Sequence, residues 1–232
     1  MRTVVKRLFL IFLLFPAVLC GQGAADALDP WERAWIEVET REGLSAAERR
    51  RELTALLLEQ LGESARVDAV FWERLSAVLD QWEAAPAGEE AREAYLGLLG
   101  AVAGLLEGSA DPFPENEAFR GYLKKGLTLA RSPMEEGRFL YYLAQAWLRA
   151  GDRDSRLTRR AGVLLRQAAD ILPKEPPLDG VHLALADLNR RWSEAEARGP
   201  GTDDGDPYLT RAVRHYRAIL DMGTARPGLM EA

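Results

Sequence analysis

From Arg138 to Pro173 the apolar residues recur three and four apart, stop at Gly151-Asp152, and resume with the same period. Such a period sets them on one stripe of an α-helix, and the stop folds two such helices back on each other. Leu140, Leu143, Ala144 and Trp147 form the stripe of the first helix; Ala161, Leu165 and Ala168 form that of the second. Two helices approach closely only where neither carries bulk at the crossing. Ala144 and Ala168 are therefore expected to face each other's helices near that point. Each hairpin leaves an apolar face that a neighbouring hairpin must cover, which is the logic of a solenoid. The fold class expected is all-α: a helix–turn–helix α-solenoid or bundle of about nine antiparallel helices.

This stretch resembles the tetratricopeptide repeat, a helix–turn–helix unit. Leu143-Ala144, Trp147 and Gly151-Asp152 match the family's first helix and turn in order, and Ala161, Leu165, Ala168 and Pro173 fall at its spacing in the second helix. The turn around Arg153–Arg160 reads as about five residues longer than the family's. In that family the first helix of each hairpin lines a concave face. The resemblance therefore assigns Arg138, Tyr141, Tyr142, Gln145 and Arg149 to a partner-binding groove, and His182, Asn189 and Arg190 of the next hairpin with them. It implies a scaffold for a protein or peptide, with tyrosine rings supplying area and arginine gripping a carboxylate. The other use of these residues is plainer: both tyrosines cover the adjoining hairpin and the arginines solvate a helix. Some exported proteins resembling the family hold a small molecule for a transporter. An enclosed apolar cavity would favour that use, and an open, polar-edged groove the peptide.

The first residues imply export. Arg2, Lys6 and Arg7 precede the uncharged apolar run Leu8–Leu19, a secretory pattern too short for a comfortable membrane span. Residues 1–20 are read as a signal peptide. Cys20, the single cysteine of the 232 residues, stands where bacterial lipoproteins attach their lipid, although Leu19 replaces the small residue usual before it. Lipid there would give membrane attachment; the alternative is cleavage after Gly23, Ala25 or Ala27, which discards Cys20. Either way the setting is the periplasm or another part of the cell envelope. Without residues 1–20 the net charge moves from −6 to about −9, which argues against nucleic acid as a partner. One cysteine permits no internal disulfide, so the fold must rest on its apolar core.

The remaining chain divides into N-terminal hairpins over 21–108, repeat-like hairpins over 109–223 and a loose tail over 224–232. Asp29-Pro30 starts a helix that ends near Gly43, with Trp31 and Trp35 one turn apart. Ser45–Glu48 and Ser132–Glu135 are capping boxes. Ala94–Leu106 carries no charge for 13 residues, too short to span a bilayer and long enough for a buried helix. Gly97, Gly100 and Gly104 recur within it and Gly108 follows; no strand precedes them, so close helix packing accounts for them better than a phosphate loop. Two prolines in Ser109–Pro114 mark the clearest internal loop. Leu157-Thr-Arg ahead of Ala161 is echoed by Leu209-Thr-Arg ahead of Ala212, which suggests duplication.

Catalytic patterns are missing from the sequence. There is no His-Glu-x-x-His, no Gly-x-Ser-x-Gly and no cysteine pair. His182 and His215 are the two histidines; they can meet within one hairpin, yet two imidazoles without a third ligand make a poor metal site. The acidic loop Gly199–Asp206 lacks the spaced ligands and closing Glu of a calcium loop. The chain thus reads as a binding protein and not an enzyme, with no cofactor or metal.

Overall fold

The structure, a computed structural model, describes residues 29–63, 68–85, 88–108, 117–150, 155–174, 177–196 and 207–222. Among these are nine α-helices and no strand: α1 (Pro30–Thr40), α2 (Ala46–Glu63), α3 (Ala69–Glu83), α4 (Glu89–Gly108), α5 (Glu117–Leu129), α6 (Pro133–Ala150), α7 (Ser155–Ile171), α8 (Leu178–Glu196) and α9 (Pro207–Asp221). Cys20 and the apolar leader, Arg153 and the acidic loop at 199–206 lie outside the described residues. No helix among the described residues is long and apolar enough to cross a membrane.

The caps read from the sequence are formed. The Trp31 amide donates to the Asp29 carboxylate at 2.8 Å and starts α1. The Ser45 amide donates to Glu48 at 2.9 Å while the Glu48 amide donates back to the Ser45 hydroxyl at 3.2 Å. Ser132 and Glu135 make the same reciprocal pair at 3.3 and 3.2 Å. Each satisfies amides that the first turn of a helix leaves without internal partners.

The chain divides into compact units at residues 1–81 and 82–232. In the first, the Trp31 indole N–H donates to the Leu56 carbonyl at 2.9 Å and pins α1 to α2. The Arg74 guanidinium of α3 lies over both Trp31 and Trp35, 4.5 and 4.9 Å from their ring centres. The paired tryptophans thus hold a cation as well as packing on the neighbouring helices. Leu53, Leu57, Phe71, Leu75 and Leu79 of α2 and α3 are buried.

In the second unit α4 packs on α5 and α6. The sequence places α4 with the earlier hairpins, on the strength of the prolines that follow it; in the structure Leu98, Leu99 and Val102 of its uncharged run are fully buried. Arg92 of α4 reinforces this by donating to Glu135 of α6 at 3.0 Å and to Glu89 at 2.6 Å. The two carboxylates are held below their usual range, Glu89 first by the Arg92 hydrogen bond and Glu135 first by the Arg131 amide. Beyond α5, helices pair as they follow one another: α6 with α7 and α8 with α9, with α7 against α8. Ala144, Ala161, Leu165 and Ala168 are inaccessible to solvent and share one core with Val181, Leu185 and Leu188.

Two expectations are corrected. The long turn at Arg153–Arg160 is mostly helix, because α7 already begins at Ser155. Its first residues include Arg156, Arg159 and Arg160, all exposed, so they show no apolar period to read. The glycines of α4 are not packing contacts: a Cβ on Gly97, Gly100 or Gly104 would meet no heavy atom within 4 Å. The close approaches are elsewhere. A Cβ on Gly126 would stand 2.6 Å from the Phe139 ring, and one on Gly137 2.5 Å from Leu172. Gly100→Ala is therefore expected to stabilise the fold by about 0.5–1 kcal/mol through lost freedom in the unfolded chain. Gly126→Ala is expected to destabilise it by about 1–3 kcal/mol through overpacking. Urea titrations followed by circular dichroism check both signs, and the same sign for both would refute the contrast.

Candidate functional site

A half-open cleft of about 310 Å³ lies between α6 and α8. Tyr141, Leu183, Ala184 and Leu188 give it an apolar floor, and Gln145, Arg149, Asp187 and Arg191 a polar rim. Helical register explains the lining. At about 100° per residue, Tyr141, Gln145, Leu148 and Arg149 fall on one side of α6, and Gly180, Ala184, Asp187 and Arg191 on one side of α8.

Three of the eight residues assigned to a groove meet in this cleft: Tyr141, Gln145 and Arg149. Tyr141 sits at its floor with only 2% of its surface exposed, belonging as much to the core as to the cleft. Its ring lies 5.8 Å from that of Tyr142, which in turn meets Phe139 edge-on at 6.0 Å. Truncating Tyr141 would cost about 3–5 kcal/mol of stability, so it is no clean probe of binding. Arg149 reaches the Leu106 carbonyl in the last turn of α4, where carbonyls lack partners within the helix. It therefore fastens α4 to α6 as well as edging the cleft.

The other five lie elsewhere. Arg138 is exposed and Tyr142 half-buried, both outside the cleft lining. Arg190 is exposed and pairs with Glu194 of its own helix at 2.6 Å. Asn189 is buried, donating to the Leu185 carbonyl at 2.7 Å, and is not a groove residue. His182 is turned toward α9. His182 and Asn189 are seven residues apart and so share a face of α8, roughly opposite the one carrying Ala184 and Asp187. On α8 the residues that line the cleft thus lie about half a turn from His182 and Asn189, and the sequence signal for them is Gly180 and Ala184, small residues one turn apart.

His182 and His215 do meet, Nδ1 to Nδ1 at 3.1 Å, with ring centres 5.3 Å apart. Burial lowers the pKa of each. That of His215 falls to about 4, with the charges of His182, Arg214 and Arg166 adding to burial. On the same joint Tyr216 donates its hydroxyl to Asp187 at 2.9 Å. Among the described residues no three or more His, Cys, Asp or Glu side chains gather where they could hold one metal ion. The cleft is a recess with hydrogen-bonding edges. No protein-family model matches the sequence, and no curated protein or solved structure matches it either.

Proposed function

We propose that this protein is a helical scaffold that holds an extended segment of a partner protein in the cleft between α6 and α8. The observation that carries the reading is the cleft itself: open along one side, with an apolar floor and a rim of Gln145, Arg149, Asp187 and Arg191. An apolar floor gives binding area, while the rim offers donors and acceptors for side chains and backbone of a bound peptide. The charged, open rim fits this better than it fits an enclosed site for a small apolar molecule. The resemblance of residues 138–173 to the tetratricopeptide repeat supports the same use. The basic and then apolar start of the chain supports a partner in the cell envelope.

The test is selection of displayed random peptides on the full chain, followed by titration of the winners against Gln145→Trp and Arg191→Ala. Gln145→Trp fills the cleft from its half-buried edge, and Arg191→Ala removes a charged rim group. Each is expected to weaken the selected peptides about tenfold or more, equivalent to about 1.4 kcal/mol. The circular dichroism spectrum and melting temperature should stay near the parent's. Peptides that bind both variants as tightly as the parent, or a selection that enriches nothing, would overturn the assignment.

A further inference from the structure

Among the described residues that line the α6–α8 cleft, Asp187 alone carries a carboxylate. Arg149 and Arg191 on the same rim can only donate hydrogen bonds, so Asp187 is the cleft's charged acceptor. It is held by a residue that is not part of that lining. Half-buried Tyr216 of α9 donates its hydroxyl to Asp187 Oδ1 at 2.9 Å. The same phenol is hydrogen-bonded to Arg190, and a guanidinium only donates, so the phenolic oxygen accepts there and its proton goes to Asp187. The Tyr216 pKa is raised, by burial first and then by the Asp187 bond, so the hydroxyl keeps that proton at neutral pH.

Asp187 has rival partners on its own helix. Arg190 and Arg191 follow it by three and four residues, the spacing at which side chains of a helix meet. An ion pair of that kind would draw the carboxylate back along α8. The bond from Tyr216 ties Oδ1 to α9 instead, while Asp187 still lines the cleft. It takes little of the carboxylate's capacity, since an ionised Asp accepts at about four lone-pair sites. A segment laid along the cleft brings backbone N–H groups to the rim, and each needs an acceptor once water is displaced. Arg149 and Arg191 would repel a cationic side chain from the same place, so the donor that suits Asp187 is a neutral one.

Resting on the function proposed above, we propose that Asp187 accepts a backbone N–H of the bound segment, and that Tyr216 is the positioning residue that holds the carboxylate for it.

The probe is the tightest selected peptide that Gln145→Trp weakens, made synthetically with a fluorescein label and titrated by anisotropy against the full chain. Asp187→Ala is expected to weaken it about tenfold. Tyr216→Phe removes only the hydroxyl and is expected to weaken it about three- to tenfold, with the circular dichroism spectrum and melting temperature near the parent's. Added to Asp187→Ala, Tyr216→Phe should have no further effect, because it acts through the carboxylate. A tyrosine that merely supports the α8–α9 contact would weaken the peptide equally in both backgrounds. Peptides N-methylated at one backbone position at a time identify the donor: one position should lose about tenfold on the parent and almost nothing on Asp187→Ala.

Equal affinity of Tyr216→Phe and the parent, an equal effect of Tyr216→Phe in both backgrounds, or no N-methyl position whose loss disappears with Asp187→Ala overturns the proposal and leaves the cleft reading intact. So does a dependence on Asp187 that vanishes when a lysine or arginine of the peptide is replaced by alanine, which would assign the carboxylate to an ion pair. A selection that yields no peptide weakened by Gln145→Trp overturns the cleft reading and this proposal together.

Discussion

Ala144→Arg is expected to lower the stability of the fold by roughly 3 kcal/mol or more, because the new side chain has nowhere to go. Ala144 is wholly inaccessible, and so are Ala161, Leu165 and Ala168 of the partner helix in the same core. Ala144, Ala161 and Ala168 put small side chains into this shared core, where a longer one has no space. Arginine there adds several heavy atoms and a charge with no buried counterion. Relief comes only by parting the helices, which uncovers the apolar surface they share. A whole domain is stable by only about 5–15 kcal/mol, so the change removes a large fraction. At about 2–4 °C per kcal/mol for a chain of this size, the melting temperature should fall by roughly 6–12 °C or further. The control is Gln167→Arg, the same new residue on an exposed position of α7. It should move stability by no more than about 0.5 kcal/mol. Equal thermal shifts for the two variants would mean that α6 and α7 do not cross at Ala144.

What the sequence made legible divides along a physical line. Local chemistry was readable: Asp29 caps α1, and both Ser–Glu boxes close as their spacing requires, since each involves residues three apart on one turn. The buried alanines were readable too, because a helical period and small size together leave few other uses for Ala144 or Ala168. The direction in which a residue faces was less so. Gly97, Gly100 and Gly104 recur at helical spacing just as packing glycines do, and only the placement of α5 and α6 leaves their side of α4 open. Tyr141 and Tyr142 are neighbours, so their directions differ by about 100°, and either could have entered the core. The choice belongs to α7 and α8, which take Tyr141. The register of α8 had the same ambiguity. His182 and Asn189 share one face and Gly180, Ala184 and Asp187 another, and Pro176-Pro177 in the sequence ahead of the helix breaks any phase carried from α6. The start of α7 was hidden for the opposite reason, since an exposed polar turn carries no apolar signal.

Acid is expected to loosen the α8–α9 hairpin before it affects the rest of the chain, with His182 and His215 as the cause. Their Nδ1 atoms are 3.1 Å apart, so one ring must donate its proton and the other must accept it. The neutral pair satisfies this, and one added proton can be accommodated by the same bond. A second sets two N–H groups face to face. The charges that act on His215 from the surrounding helices are His182 of α8, Arg166 of α7 and Arg214 of α9, all of the sign that opposes protonation. Both histidines have folded pKa values lowered from about 6.5, that of His215 to about 4, so folding favours their neutral forms. Their contribution is therefore complete above about pH 6.5 and is lost as the pH falls from there toward 4. Each ring is only half-buried, so water screens the effect, and roughly 1–2 kcal/mol for the pair is the expected loss rather than the larger figure full burial would give. Glu48, Glu89 and Glu135, whose pKa values are also lowered, begin to lose their own contributions only below about pH 4.5, their ordinary range. The window from pH 7.5 to 5 thus isolates the histidines. Melting temperatures measured across it should fall for the parent and stay nearly level for His182→Gln/His215→Gln, in which uncharged amides replace both rings. Parallel curves for the two proteins would show that the imidazoles do not share this bond.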